Sequence, residues 1–169
     1  MKYLLKGQET ERLKFRLLEP EDFDEWMNLF KAGNIAEHLE LDPKLTAYEL
    51  CQIWFEKAFH RYENDLGGLN VLVDKKTNRM VGQSGLLIQT IDNEERMEIG
   101  YSILPEFWKQ GFAIEAASKC KSYAFENDFA DSLISMIHIK NLASEKVALR
   151  NGMSLEKRVN SFNIFSINK

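Results

Sequence analysis

The chain has 169 residues, 44% of them apolar and 28% charged, with a net charge of −4. That length suits one domain with a sizeable core, and the composition is that of an ordinary globular protein. The acidic balance argues against a general nucleic-acid binder, which needs a basic face, and no window reaches the roughly 18 consecutive apolar residues of a membrane span.

The opening run Met1-Lys2-Tyr3-Leu4-Leu5-Lys6-Gly7-Gln8-Glu9 turns polar too early for a signal peptide, so a cytoplasmic protein is expected. Residues 11–18 then alternate: Leu13, Phe15 and Leu17 point one way, Arg12, Lys14 and Arg16 the other, which predicts a half-buried strand. Pro20, Glu21 and Asp22 start a helix, with proline tolerated and acids favourable in its first turn. Phe23, Trp26, Met27 and Phe30 give that helix one apolar stripe. Thr46 and Glu49 form a capping box for a second helix, with Leu50, Ile53, Trp54 and Ala58 as its buried face.

Gly67-Gly68 is read as a break before a strand at about 69–74, and the polar turn Lys75 to Arg79 leads to its partner at about 79–90. A second turn, Asp92 to Glu95, leads to a strand at about 96–104, so the three form an antiparallel meander. A helix at about 111–127 carries Ala113, Ala116, Ala117, Cys120 and Ala124 on one face, small enough to lie close on a sheet. Residues 132–139 are strand-like, Asn141 to Arg150 a short helix, Asn151-Gly152 a left-handed stop, and Phe162, Ile164, Phe165 and Ile167 mark a closing strand. The order is β-α-α-β-β-β-α-β-α-β-β without linker or repeat. It predicts one mixed α/β domain over 1–169, with a mostly antiparallel sheet of about seven strands, about four helices and one parallel crossover.

Cys51 and Cys120 lie far apart with no zinc or disulfide spacing, so buried free thiols are expected and no metal is suggested. The chemistry-bearing stretch is Ile99 to Leu104 followed by Pro105-Glu106-Phe107-Trp108-Lys109-Gln110-Gly111-Phe112-Ala113, a strand running through a loop into a helix. Helix-start amides lack partners and the helix dipole adds positive potential, so this junction suits a phosphate or pyrophosphate. The plainer alternative is a tight turn that needs a glycine. Neither the P-loop nor the dinucleotide fingerprint is present.

Thr10-Glu11-Arg12-Leu13-Lys14-Phe15-Arg16-Leu17, Glu98-Ile99-Gly100-Tyr101, the stretch Pro105 to Ala116, Asn141-Leu142-Ala143-Ser144 and Asn151-Gly152-Met153 together resemble the GNAT acetyltransferases. They look closest to the RimJ/RimL-like branch of ribosomal-protein N-terminal acetyltransferases. The resemblance covers nearly the whole chain and implies the GNAT fold with acetyl-CoA as co-substrate. It implies that the amides of Gln110, Gly111, Phe112 and Ala113 hold the pyrophosphate, and that Ile103 and Leu104 pair with the pantetheine arm. Lys109 stands where the branch usually has glycine; it either contacts a phosphate or stiffens the loop.

Amide formation needs a neutral amine, so a base must take its proton, and a thiolate must leave. Glu98 is the candidate base, sharing one strand face with Gly100 and Ser102; the alternative is a solvent-facing glutamate. Gly100 beside it is read as leaving space for a ligand. Asn141 and Ser144 are helix-capping types; the resemblance adds a pantetheine contact for Asn141 and places Ser144 near the sulfur as acid, since Val147, Ala148 and Leu149 offer no tyrosine. His138 is structural or a proton carrier. Tyr101 is read as core, as are Trp26, Phe30 and Trp54, and Glu37, His38 and Glu40 could touch the acceptor. The acceptor is a primary amine, on a small molecule or a protein N-terminus, and the alternative function is a non-catalytic acyl-CoA-binding module. The apolar end Phe162 to Ile167 leaves monomer and homodimer both open.

Overall fold

A computed structural model describes residues 2–33 and 35–169; Met1, the first residue of the N-terminal run read above, and Asn34 lie outside them. Seven strands form one sheet: β1 (Leu13–Arg16), β2 (Gly67–Asp74), β3 (Met80–Ile91), β4 (Glu94–Ile103), β5 (Ser132–His138), β6 (Ser154–Val159) and β7 (Phe162–Asn168). Their order across the sheet is β1-β2-β3-β4-β5-β7-β6. Every neighbouring pair is antiparallel except β4 and β5. The helices are α1 (Phe23–Lys31), α2 (Ile35–His38), α3 (Ala47–Glu63), α4 (Phe112–Glu126) and α5 (Leu142–Arg150).

Two cores sandwich the sheet. On one side Trp26, Leu29 and Phe30 of α1 and Leu50, Cys51, Phe55 and Ala58 of α3 pack with Val71 and Met80. On the other, Ala116, Ala117, Cys120 and Ala124 let α4 lie against Leu86, Met97, Ile99 and Ile103. Small side chains bring that helix close enough to bury Cys120 completely, and burial pushes its thiol up to about 12; Cys51, equally buried, is likewise pushed up to about 12. Both cysteines are free thiols.

The four long helices and seven strands follow the expected order. The capping box forms as read: Glu49 N–H donates to Thr46 Oγ1 at 3.2 Å and Thr46 N–H to Glu49 Oε2 at 2.8 Å. Five details differ. β1 ends at Arg16, so Leu17 is half-buried and Leu18 buried in its place. On α1 Leu29 is buried with Trp26 and Phe30, while Phe23 and Met27 are half-buried. Pro20 to Asp22 make a separate 3-10 turn ahead of α1. The buried face of α3 is rotated to Leu50, Cys51, Phe55 and Ala58, leaving Ile53 and Trp54 half-buried. Gly67 and Gly68 do not break the chain but begin β2, opposite Leu87 and Leu86. Gly67 has φ +70°, and a Cβ there would stand 2.1 Å from the Leu86 carbonyl oxygen. The glycine permits a close strand approach rather than a turn.

The stop after α5 is left-handed: Gly152 has φ +86°, and the Gly152 and Met153 amides return to the Leu149 and Ala148 carbonyls, both at 3.1 Å. Asn151 is almost fully buried and bonds α4 through Ala117 O and Ser118 Oγ, which fixes α5 against α4.

Candidate active site

The sheet opens at its one parallel junction. β4 and β5 pair only at Met97↔Leu133 and Glu98↔Ile134, although β4 runs on to Ile103 and β5 to His138. Past that point a side chain joins the two strands, the Ser135 hydroxyl donating to Ile99 O at 2.8 Å. The Tyr101 hydroxyl reaches α5, donating to Ser144 O at 2.8 Å, and the Trp108 indole folds back on Ile103 O at 2.7 Å. The Leu104 amide donates to Val81 O at 2.9 Å, so Leu104 is committed to β3. Strand alternation then aims the main-chain groups of Ile99, Tyr101 and Ile103 at the gap. Of the pair expected to meet a pantetheine arm, Ile103 faces the gap and Leu104 does not.

Glu98 sits at the root of the gap. It is not the solvent-facing residue that the alternation allowed: it is only 9% exposed. Oε2 accepts from Gln89 Nε2 at 2.6 Å and Oε1 from the Met136 amide at 3.3 Å. Gln89 is oriented in turn by Arg61 of α3, whose Nη2 donates to Gln89 Oε1 at 3.1 Å. Burial pushes the Glu98 carboxyl above its ordinary value; the bonds from Gln89 and Met136 and the Arg61 charge oppose that, and Glu40 adds to it. A carboxyl raised by burial and steadied by donors is what a general base near neutral pH requires.

Gly100, opposite Gly85, does not leave free space beside Glu98. A Cβ there would stand 2.7 Å from Leu87 Cδ1 and 3.0 Å from Leu69 Cδ2, so the glycine admits these leucines. Above this face Trp26 is fully buried and Trp54 donates to Gln83 Oε1 at 3.1 Å. Trp26 Nε1 and Gln83 Nε2 are buried donors without a partner among the described residues.

The loop after β4 has an unusual backbone. Lys109 has φ +62° and Gly111 φ +84°. Other non-glycine residues with positive φ are Asn and Asp, whose short side chains tolerate it, apart from Glu40. Lys109 therefore fills a left-handed position, which explains why glycine is the ordinary choice there. Gly111 is the N-cap of α4 with no side-chain cap, and the first amide bonded inside the helix is that of Glu115, to Gly111 O at 3.2 Å. The amides of Phe112, Ala113 and Ile114 ahead of it have no intrahelical partner and point out of the helix end. Gln110 is exposed, with its side-chain amide on Glu106 O at 3.2 Å.

A clamp absent from the sequence reading holds this loop. Glu115 accepts from Thr10 Oγ1 (2.5 Å), the Arg12 amide (2.8 Å) and Arg12 Nε (2.6 Å). Arg12 Nη1 donates to Gln110 O at 2.9 Å, and the guanidinium lies 4.4 Å from the centre of the Phe112 ring. Only the Thr10-Glu11-Arg12 run hinted at it, and nothing local pairs that run with a residue 103 positions away.

Beyond the gap, Asn141 caps α5 by accepting the Ser144 amide at 3.2 Å. His138 is buried; its Nδ1 accepts the Lys140 amide at 3.3 Å, and its ring meets Phe162 at 5.3 Å and His38 at 5.4 Å. The one-turn α2 thus packs on β5, tied by Lys140 to Glu37 at 2.7 Å. Burial pulls the His38 pKa down. β4 carries Glu98, Tyr101 and Ile103, and Tyr101 meets Ser144 through its hydroxyl; the 109–113 loop follows the far end of that strand. His38 and His138 lie against each other. Among the described residues no group of three His, Cys, Asp or Glu side chains could hold a metal ion, and no helix is long and apolar enough to cross a membrane.

Residues 12–154 match the acetyltransferase (GNAT) domain family. The chain is 37% identical over 90 residues to the uncharacterized protein YkkB of Bacillus subtilis (strain 168), a stretch covering 53% of this chain and about half, 52%, of that relative. It is 26% identical over 148 residues to the uncharacterized N-acetyltransferase YoaA of the same organism, covering 88% of this chain and 82% of that one. Among solved structures, an acetyltransferase from Agrobacterium tumefaciens str. C58 superposes with a TM-score of 0.81 at 21% identity, covering 98% of this chain and 95% of the other. RimL, a ribosomal L7/L12 alpha-N-protein acetyltransferase in complex with coenzyme A, gives 0.75 at 16%, covering 96% and 97%. A spermidine N-acetyltransferase from Vibrio cholerae with CoA and spermine gives 0.70 at 19%, covering 94% and 96%. At these identities the structural likenesses establish a shared fold.

Proposed function

We propose that this chain, which belongs to the GNAT acetyltransferase family and carries its acetyltransferase domain, moves the acetyl group of acetyl-CoA to a primary amine by direct attack on the thioester. The observation that carries this is the opened β4–β5 junction, with buried Glu98 at its root and the partnerless amides of α4 beside it. The pyrophosphate lies on the amides of Gln110, Gly111, Phe112 and Ala113 with Lys109 at its side, and the pantetheine arm runs along Ile103 towards Asn141. Leu104 contributes packing there rather than a main-chain bond.

Glu98 takes the proton of the incoming ammonium, directly or through one water, and the amine nitrogen attacks the thioester carbon. The tetrahedral intermediate collapses by breaking the C–S bond; the thiolate takes a proton from the Ser144 hydroxyl, which regains one from the second proton that the attacking nitrogen sheds as it becomes the amide. Ser144 is held in place from both sides of its own main chain, by Asn141 at its amide and Tyr101 at its carbonyl. The neighbours support both acceptor classes, since RimL is named for a protein α-amine and the Vibrio protein for spermidine. The RimJ/RimL-like motifs favour the protein N-terminus. The protein acts in the cytoplasm, as a monomer or a homodimer, with no metal.

The test is release of free thiol from acetyl-CoA against a panel of amines that includes peptide N-termini and polyamines. Release with at least one class supports the reading. Tight acetyl-CoA binding without release for any acceptor would replace it with a non-catalytic acyl-CoA-binding module.

A further inference from the structure

We infer that Arg12 is a positioning residue for the cofactor loop: it holds the 109–111 turn, in which Lys109 and Gly111 are left-handed, and completes the positive rim that meets the pyrophosphate. This rests on the acetyl-CoA reading above.

The loop needs an external hold. Lys109 and Gly111 are both left-handed, at +62° and +84°, and the Gln110 carbonyl between them is the group that Arg12 Nη1 grips at 2.9 Å. A non-glycine residue in this region costs free energy and persists only where its surroundings enforce it. Arg12 is itself fixed three ways: its Nε and its own amide are on Glu115, and its plane is on Phe112. The planar fork makes these contacts together; a lysine ammonium could not.

The electrostatics point the same way. Glu115 stands in the first turn of α4, where a carboxylate favours the helix but opposes a bound anion. Burial raises its pKa, yet the bonds from Thr10 and Arg12 outweigh this and hold it below its ordinary value, so it stays ionised. Arg12 cancels that charge at 2.6 Å. Its Nη2 takes part in none of these bonds and lies 3.3 Å from where a Gly111 Cβ would stand, at the mouth of the partnerless amides. The side chain is 41% exposed, within reach of a ligand.

Acetyl-CoA and acetyl-pantetheine separate this role from a general effect on folding, because only the first carries the pyrophosphate. Binding of acetyl-CoA is measured by calorimetry and of acetyl-pantetheine by ligand-observed NMR, for the wild type, Arg12→Ala, Arg12→Lys and Glu115→Gln. Arg12→Ala should weaken acetyl-CoA by roughly ten- to a hundredfold, the scale of a lost hydrogen bond to a charged group, and leave acetyl-pantetheine unchanged. Arg12→Lys, keeping the charge without the fork, should fall between wild type and alanine. The inference is overturned if Arg12→Ala binds acetyl-CoA as tightly as wild type, or if it loses both ligands equally. A wild type that does not prefer acetyl-CoA to acetyl-pantetheine would instead remove the pyrophosphate site, and this role with it.

Discussion

Replacing Glu98 by glutamine keeps the shape of the side chain and removes its charge. Both carboxylate oxygens accept from donors, Gln89 Nε2 at 2.6 Å and the Met136 amide at 3.3 Å. Gln89 cannot turn round without losing Arg61. Either orientation of the new amide therefore sets one donor against another, a cost of about 1–3 kcal/mol. Against this stands relief from burying a charge, and the balance moves with pH. The folded pKa of Glu98 is raised above its ordinary 4.5. Its favourable contribution is thus fully present below the unfolded value and is lost as pH rises through the folded one. Glutamine does not titrate, so the melting temperature of Glu98→Gln relative to wild type should climb between acid and neutral pH. Turnover should fall by roughly a hundred- to ten-thousandfold, the usual worth of a general base, with the acidic limb of kcat/KM abolished and acetyl-CoA affinity nearly unchanged. Initial rates of thiol release across the pH range, with calorimetry for binding, read all of these. A variant that turns over within about threefold of wild type, with the same acidic limb, would remove Glu98 from the chemistry.

Three other substitutions probe the frame. Gly111→Ala puts a Cβ on a residue at φ +84° and 3.3 Å from Arg12 Nη2; it should cost about 1–2 kcal/mol in urea unfolding and weaken acetyl-CoA in calorimetry. Tyr101→Phe removes the 2.8 Å bond to Ser144 O; about 0.5–1.5 kcal/mol of stability should go, and turnover should drop with it if Ser144 is placed through that bond. Gly67→Ala drives a methyl to 2.1 Å from the Leu86 carbonyl oxygen; it should cost more than about 3 kcal/mol, seen as loss of soluble folded protein, while a chain of wild-type stability would mean that β2 and β3 can part there.

Where a feature is set by neighbours in the chain, the sequence showed it. The alternation of β1, the Thr46–Glu49 box, the alanine face of α4 and the Gly152 stop are all decided within a few residues. Period-two alternation separates the two faces of a strand but does not say which is covered. Glu98 could thus be read as facing solvent, although Gln89 and Arg61 close over it. The glycines at 67–68 carry the same ambiguity, since close strand approach and chain breaking use the same residue. The α2 turn is too short to show a period. The Arg12–Glu115 clamp spans 103 positions and has no local signature. Lys109 is the reverse case: its oddity was visible, and its φ supplies the reason.

The two-rung junction between β4 and β5 makes the sheet a laminate with a weak seam. β1 to β4 form one panel and β5, β7 and β6 another, fastened by two residue pairs, the α4 crossover and a few side-chain pins. A pantetheine arm threaded into that seam would replace missing rungs. Ligand binding then adds to folding stability by mass action, about 2.7 kcal/mol at a hundred times Kd. Amide hydrogen exchange should slow most along Ile99–Ile103 and Ser135–His138, the two edges that the cofactor would stitch together.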